Sequence, residues 1–435
     1  MRPYAPWNGR AFSLTRYRTR RTRMNSASTI NSGDTAWVLL SAGLVMLMTP
    51  ALAFFYGGMV SRKNILAILM KCFACLSIIL LLWVIYGYSL AFAPGNSFIG
   101  GLQWAGLKGV GFAPYPDYGP TIPHTAFVIF QAMFAVITPA VIIGSLVERI
   151  KFSAFLFFMV LWFSFVYLPI CHMVWGAGGW FRNMGLLDFA GGTVVEINCG
   201  VAGLISALFL GRRLGLVRPT LHNIPFVVLG GGLLWFGWLG FNAGSALAAN
   251  GVAANAFLTT NVSAAAAALS WAAIEWLTTG KPTIFGTISG VIAGLVAITP
   301  ACGFVEPLTA IFIGLVAGAI SFYAVGIVKQ KFGYDDSLDA FGVHGVGGFW
   351  GMIATGLFAT TAVNPAGANG LLLGNAAQFK VQILAACVTV VYCAAVTSLI
   401  CFVVDYLIGM RVRPEDEIMG LDLTQHHERA YTILD

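Results

Sequence analysis

The chain has 435 residues, of which 58% are hydrophobic and only 9% are charged. Soluble globular domains carry about 25% charged residues, so this composition excludes one and describes a polytopic α-helical membrane protein. The formal net charge of +7 comes from seven Arg within residues 1–23; the rest balances 17 basic against 17 acidic groups, leaving no electrostatic ground for nucleic-acid binding.

In chain order, residues 1–33 form an N-terminal arm with an Arg-rich head. The head is a targeting segment, a disordered basic arm or translated leader; its lack of an apolar core of its own favours leader, with the mature start at Met24. Residues 34–410 form the membrane domain, and 411–435 a short tail. Apolar runs predict eleven spanning helices near 36–58, 64–92, 125–147, 152–175, 189–210, 223–247, 254–278, 283–301, 305–328, 341–362 and 378–410. Alternate loops hold Arg62, Lys63, Arg149, Lys151, Arg212, Arg213, Arg218, Lys281, Lys329, Lys331, Arg411 and Arg413; the other set holds only Lys108, Arg182 and Lys380. The positive-inside rule puts the first set in the cytoplasm, with the mature N-terminus outside and the tail inside. Eleven helices divide as five, five and one, and an odd number per half makes the second half run opposite to the first, an inverted repeat. The last helix of each half carries a polar or Gly-rich stretch, DFAGGTVVEIN (188–198) and DAFGVHGVGG (339–348), which points to a site between helices five and ten.

Ionisable groups inside a membrane are costly, so each is a functional candidate. Asp188 lies at the outer start of the fifth helix and reads as an N-cap, a cation-attracting group, or both. Glu196 lies eight residues further, about 12 Å deeper, and His344 sits in the tenth helix. They are either two unrelated core groups or a facing pair that shares a proton in a narrow polar path. Lys71, His172, Glu275, Glu306 and Asp405 fall nearer predicted ends. Phe130 and Phe134 share one helix face; Trp175 ends the fourth helix, and Trp238 and Phe241 precede Ser245 in the sixth. Most of these aromatic residues are also explained by an interfacial belt. The eight Cys, mostly within apolar spans, read as small buried hydrophobes. No catalytic constellation, cofactor or metal is expected.

The motifs AFFYGG, FQAMFA, HMVWG, DFAGGTVVEIN, GWLGFNAGS, DDSLDAFGVHGVGG and EDEIMGLDLTQHHERAY, in this order across residues 34–432, resemble the ammonium transporter family (Amt/Mep/Rh), in its Amt/Mep branch. The resemblance implies a homotrimer in the plasma (inner) membrane with one pore per subunit. Trp175, Phe134 and Ser245 would form the outer cation site, with Asp188 supporting it electrostatically. Phe134 and Phe241 would be a stacked phenyl gate, with Trp238 and Phe130 nearby and Phe55 and Tyr56 near the pore entrance. The family's twin-His pair falls at positions 196 and 344, where this chain has Glu196 and His344, a variant that resembles some fungal members. The tail, with QHHE in place of the usual HGE, would be a cytoplasmic regulatory segment touched by PII-type signal proteins; His427 in place of Gly would stiffen its turn. The expected function is electrogenic uptake of ammonium, with methylammonium a further candidate substrate: ammonia crosses a dry pore while its proton passes through Glu196/His344. A passive ammonia or carbon dioxide channel of Rh type, or an ammonium sensor, is the alternative.

Overall fold

The computed structural model describes residues 30–214 and 221–431; the Arg-rich head, Met24 and Arg218 lie outside them. Among the described residues there is helix and connecting loop, without strands. Ten helices among the described residues are long and apolar enough to cross a membrane: α1 (Ser32–Met59), α2 (Ile65–Phe92), α3 (His124–Leu146), α4 (Phe152–Asn183, broken by a turn after Trp175), α5 (Gly192–Leu210), α6 (Ile224–Gly244), α7 (Gly251–Thr279), α9 (Pro307–Phe332), α10 (Phe341–Phe358) and α11 (Ala376–Ile408). The shorter α8 (Ile284–Ile298) lies between α7 and α9 and ends ahead of Pro300. In hydrocarbon every backbone N–H and C=O needs an internal partner, which is why long apolar runs resolve into helices. Their starts are written in short polar side chains: Asn31, Asn223, Asn250, Thr283 and Asn375 each accept a hydrogen bond from the first turn of the helix that follows.

Most of the loops predicted to share one side are joined by contacts on one side. Arg213 bridges Glu148 at 2.5 Å and Asp335 at 2.8 Å, and Arg411 donates to the carbonyls of Leu210 and Arg212. This basic end gathers the loops after α1, α3, α5 and α9 with the tail.

The helix directions fit two opposed halves. Along α6, Gly230, Gly237 and Gly244 face Phe55, Met48 and Ser41 of α1 in turn, so α1 and α6 are antiparallel. Gly200 of α5 meets Gly345 of α10, and Gly348 of α10 meets Glu196 of α5, so those two also run in opposite directions. Some local irregularities repeat as well, though the π turn of α2 at Trp83–Gly87 has no counterpart in α7. α4 and α9 carry π-helical turns at Phe163–Tyr167 and Ala324–Val328, and α5 and α10 both begin with one, Gly192–Ile197 and Phe341–Gly345.

α3 is the most enclosed helix, with nearly all its residues buried, while α9 and α11 present Leu308, Phe312, Leu399 and Phe402 outward as a lipid-facing surface does. The lesser polar candidates have structural partners. His172 bonds the carbonyls of Ala91 and Asn96, Glu275 accepts from Thr283 at the start of α8, and Asp405 accepts from the Met410 N–H. Lys71 is buried and donates to the Ala67 carbonyl, and Glu306 stands exposed where α9 begins. Cys72 and Cys75 stand three apart on α2 in a C-x-x-C spacing, yet both are buried and unbonded, as expected of small hydrophobes.

Candidate functional site

The starts of α5 and α10 are positioned by close backbone contact. A Cβ on Gly200 would overlap the backbone of Gly345, and one on Gly348 would lie 2.6 Å from the Glu196 Cβ, so only glycine permits this crossing. Each helix opens with a π turn, a wider loop that rotates a side chain out of the α-helical register and recurs at functional sites. Glu196 lies in one such turn and His344 in the other. As a result His344 Nδ1 and Glu196 Oε2 are 2.7 Å apart, with both residues buried. The second carboxylate oxygen, Glu196 Oε1, is buried without a partner.

From this pair an aromatic line runs away from the basic end. Trp238 lies nearly parallel to the His344 ring at 6.5 Å between centroids, and its indole N–H is fixed by Thr299 Oγ1 at 2.9 Å. Trp238 contacts Phe241 at 5.6 Å, and Phe241 stacks on Phe134 at 4.1 Å and 23° between planes. Phe134 meets Trp175 edge-on at 5.8 Å and 87°. An apolar cavity bounded by Leu52, Phe55, Val141, Trp238 and Phe241 opens onto Glu196 and His344. A separate cavity, with Tyr56, Ser289 and Asp339 in its wall, reaches His344 from the basic end. Beyond the stacked phenyl rings a third cavity is walled by Trp175 and Ser245.

Asp188 accepts hydrogen bonds from the N–H groups of Gly191 at 2.9 Å, Gly192 at 2.6 Å and Thr193 at 2.8 Å, and from the Thr193 hydroxyl. Both oxygens are thus engaged in starting α5, and the helix begins at Gly192, three residues later than its sequence indicates, because Gly191 turns the chain at φ 117°. The Asp188 carbonyl accepts from the Trp175 indole N–H at 3.0 Å, so the same residue orients the indole. Ser245 Oγ donates to the Phe241 carbonyl at 2.9 Å, which leaves its lone pairs free to accept from a ligand. Phe130 packs against Phe134 at 5.0 Å, from outside the cavity walls. Phe55 and Tyr56 line the cavity at the basic end, opposite to Trp175: the entrance they occupy is the one on that side.

One residue escaped the sequence reading. Gln131, inside the FQAMFA motif, lines the same cavity as Trp175 and Ser245 with its Oε1 buried and unpartnered. A lone amide in an otherwise apolar run was the available signal.

A bundle of membrane-length helices enclosing an apolar path, with a single acid–imidazole pair inside it and cavities at both ends, defines a transporter or channel for a small polar solute. The sequence model of the Ammonium Transporter Family matches residues 36–431. The ammonium transporter of Bacillus subtilis is 55% identical, over 92% of this chain and 98% of its own. Among solved structures, Mep2 of Saccharomyces cerevisiae superposes with a TM-score of 0.84 at 34% identity, covering 89% of each chain. A protein described as a sensor Amt protein superposes with a TM-score of 0.83 at 27% identity, over 91% of this chain and 98% of that one. The chain belongs to the ammonium transporter family.

Proposed function

We propose that the chain takes up ammonium by splitting it into ammonia, which crosses the apolar path, and a proton, which passes through Glu196 and His344. The physical ground is desolvation. An ion stripped of water in a low-dielectric tunnel loses at least several kcal/mol unless its charge is replaced. Ammonium can shed its charge by giving up a proton, whereas potassium cannot. Trp175, Phe134 and Ser245 then recruit the cation by its attraction to π faces and a hydroxyl acceptor, worth about 0.5–2 kcal/mol per ring. Asp188 acts there by holding the indole. Phe134 and Phe241 part to admit ammonia.

The observation that carries the proposal is the 2.7 Å contact between Glu196 and His344 inside an apolar cavity. A carboxylate beside an imidazole can hold a proton on either partner, so the two titrate as one unit. The basic end is assigned to the cytoplasm of the cell's plasma membrane by the positive-inside rule. Assembly as a homotrimer and contact of residues 411–435 with a PII-type signal protein belong to the same reading.

Ammonium-pulse currents in proteoliposomes test it. Glu196→Gln keeps the shape and removes the acid, so the current should fall sharply. An undiminished current at every pH would refute the relay. A wild-type protein that takes up ammonia without any current would favour the passive gas channel instead.

A further inference from the structure

The sequence gives no expectation of a metal site, yet the fold assembles three ligating groups at the centre of the path. Cys199 lies one helical turn after Glu196 on α5, and its thiol donates to the Glu196 carbonyl at 3.4 Å. A carboxylate oxygen of Glu196, an imidazole nitrogen of His344 and the Cys199 sulfur all lie within 4.8 Å of one another, and all three residues are buried. Glu196 Oε1 has no partner and is enclosed. We infer that Glu196, His344 and Cys199 form a binding site for a thiophilic divalent cation of the zinc or cadmium type, whose occupancy plugs the path.

Four arguments support this assignment. One carboxylate, one imidazole and one thiolate make a mixed hard–soft set that suits zinc and disfavours magnesium or calcium, which require oxygen ligands. Three protein ligands leave a fourth position open towards the cavity. The charges also balance: as the cation binds, the thiol loses its proton, and a dication held by one carboxylate and one thiolate carries no net charge. That neutral complex removes the main obstacle to an ion in an apolar interior. Zinc lies about 2.0–2.3 Å from such ligands, so bringing the three atoms onto one centre needs only a small contraction of the observed cluster. The way in is the cavity from the basic end, which reaches His344 and has Asp339 in its wall. The bound cation takes the place of the proton between Glu196 and His344 and fills the passage.

The inference uses the proposed path for its consequence, but binding itself is measured without transport. The probe is cadmium added to the full chain carrying Cys387→Ser, which removes the exposed thiol on α11. The expected result is one cadmium per protomer with a thiolate-to-cadmium charge-transfer band in the ultraviolet. Adding Cys199→Ala should abolish the band and weaken binding at least about tenfold, the loss that even an outer-sphere partner costs a metal site. Cys199→Ser, closest in size, should bind as weakly as Cys199→Ala and guards against a packing defect. In proteoliposomes, cadmium should block the ammonium current of the Cys387→Ser protein, and Cys199→Ala should relieve the block while leaving the cadmium-free current intact. Equal cadmium content with and without Cys199, or binding without the thiolate band, overturns the site. Cadmium binding that persists in a protein whose current ignores Glu196→Gln would retain the site and reject the relay.

Discussion

At the scale of single residues, Asp188 and Ser245 show how two polar groups near one aromatic ring act differently. Asp188 saturates three backbone N–H groups and a hydroxyl, all buried. Asp188→Ala strands these donors, and each buried unsatisfied group costs about 1–3 kcal/mol. The expected outcome is a lower melting temperature in detergent together with loss of transport, partly recovered in Asp188→Asn. Ser245 bonds only the Phe241 carbonyl four residues before it, so Ser245→Ala should melt as the wild type does and show only a weaker apparent affinity for ammonium. If Asp188→Ala melted like the wild type and lost only affinity, its part would be electrostatic rather than structural. Sequence alone left both readings of Asp188 open because a cap and a cation attractor demand the same residue at the same helix start. The pairing of Glu196 with His344 was legible only as one of two alternatives, since spacing along one helix says nothing about which side chain a second helix presents. The π turns that aim both groups inward leave no trace in hydrophobic periodicity. Cys199 was invisible for the same reason: it reads as one more small hydrophobe until the fold sets it beside a carboxylate and an imidazole.

At the scale of elements, the crossing of α5 and α10 governs the site. Gly200→Ala forces the two backbones apart where they touch at Gly345. Interiors packed at crystal density do not absorb a methyl group without movement, at a cost of about 1–3 kcal/mol. A shift of even a few tenths of an ångström lengthens the 2.7 Å contact between Glu196 and His344. Gly200→Ala should therefore insert and fold yet lose most of the current, whereas Gly43→Ala, where a Cβ meets nothing within 4 Å, should be silent. The tail shows the converse, a residue with too much side chain for its backbone. His427 ends the last short helix, Leu421–His426, at φ 56° and ψ 30°, the left-handed conformation that glycine adopts without strain. His427→Gly removes a penalty of about 1 kcal/mol but gains unfolded-chain entropy. The net effect should be a few tenths of a kcal/mol tighter docking, seen as slower amide exchange across residues 411–431. Faster exchange there would mean that the imidazole makes contacts that outweigh the strain. The helices themselves were legible to within a few residues, since their apolar lengths and Asn or Thr caps stand in the sequence. The late start of α5 and the early end of α8 are set by a glycine turn and by Pro300, while α1 starts earlier, α9 ends later and α10 ends earlier than their apolar runs indicate.

At the scale of the whole molecule, the helices are fastened to one another at the basic end by charge. Glu148 accepts from Ser61 and Asn64 and pairs with Arg213, which also pairs with Asp335; the buried Arg149 donates to Ser337 and to the Asp335 carbonyl. The tail adds Asp422, which accepts from the Ala67 N–H at the start of α2, and Gln425, which accepts from the Phe152 N–H at the start of α4. These links join α1, α2, α3, α4, α5 and the loop before α10, the elements that carry or support the pore residues. Burial alone would raise the Asp335 carboxyl, but the hydrogen bonds and charge of Arg213, with Arg149, hold it at about 2 against an ordinary 3.8. Glu148 is likewise lowered, burial being outweighed by Arg213, Ser61 and Asn64. A carboxyl depressed in the folded state stabilises fully above its unfolded value, and the contribution drains away as pH falls through the folded value. For Asp335 that window runs from about 3.8 down to about 2. The detergent-solubilised protein should therefore keep its melting temperature down to a pH near 4 and lose it steeply below. Arg213→Gln removes the cation that both carboxylates share, so its melting temperature should already be lower at neutral pH, with a shallower acid decline because less depression remains to be lost. A variant whose acid decline matched that of the wild type would show that Arg213 is not what binds these loops together.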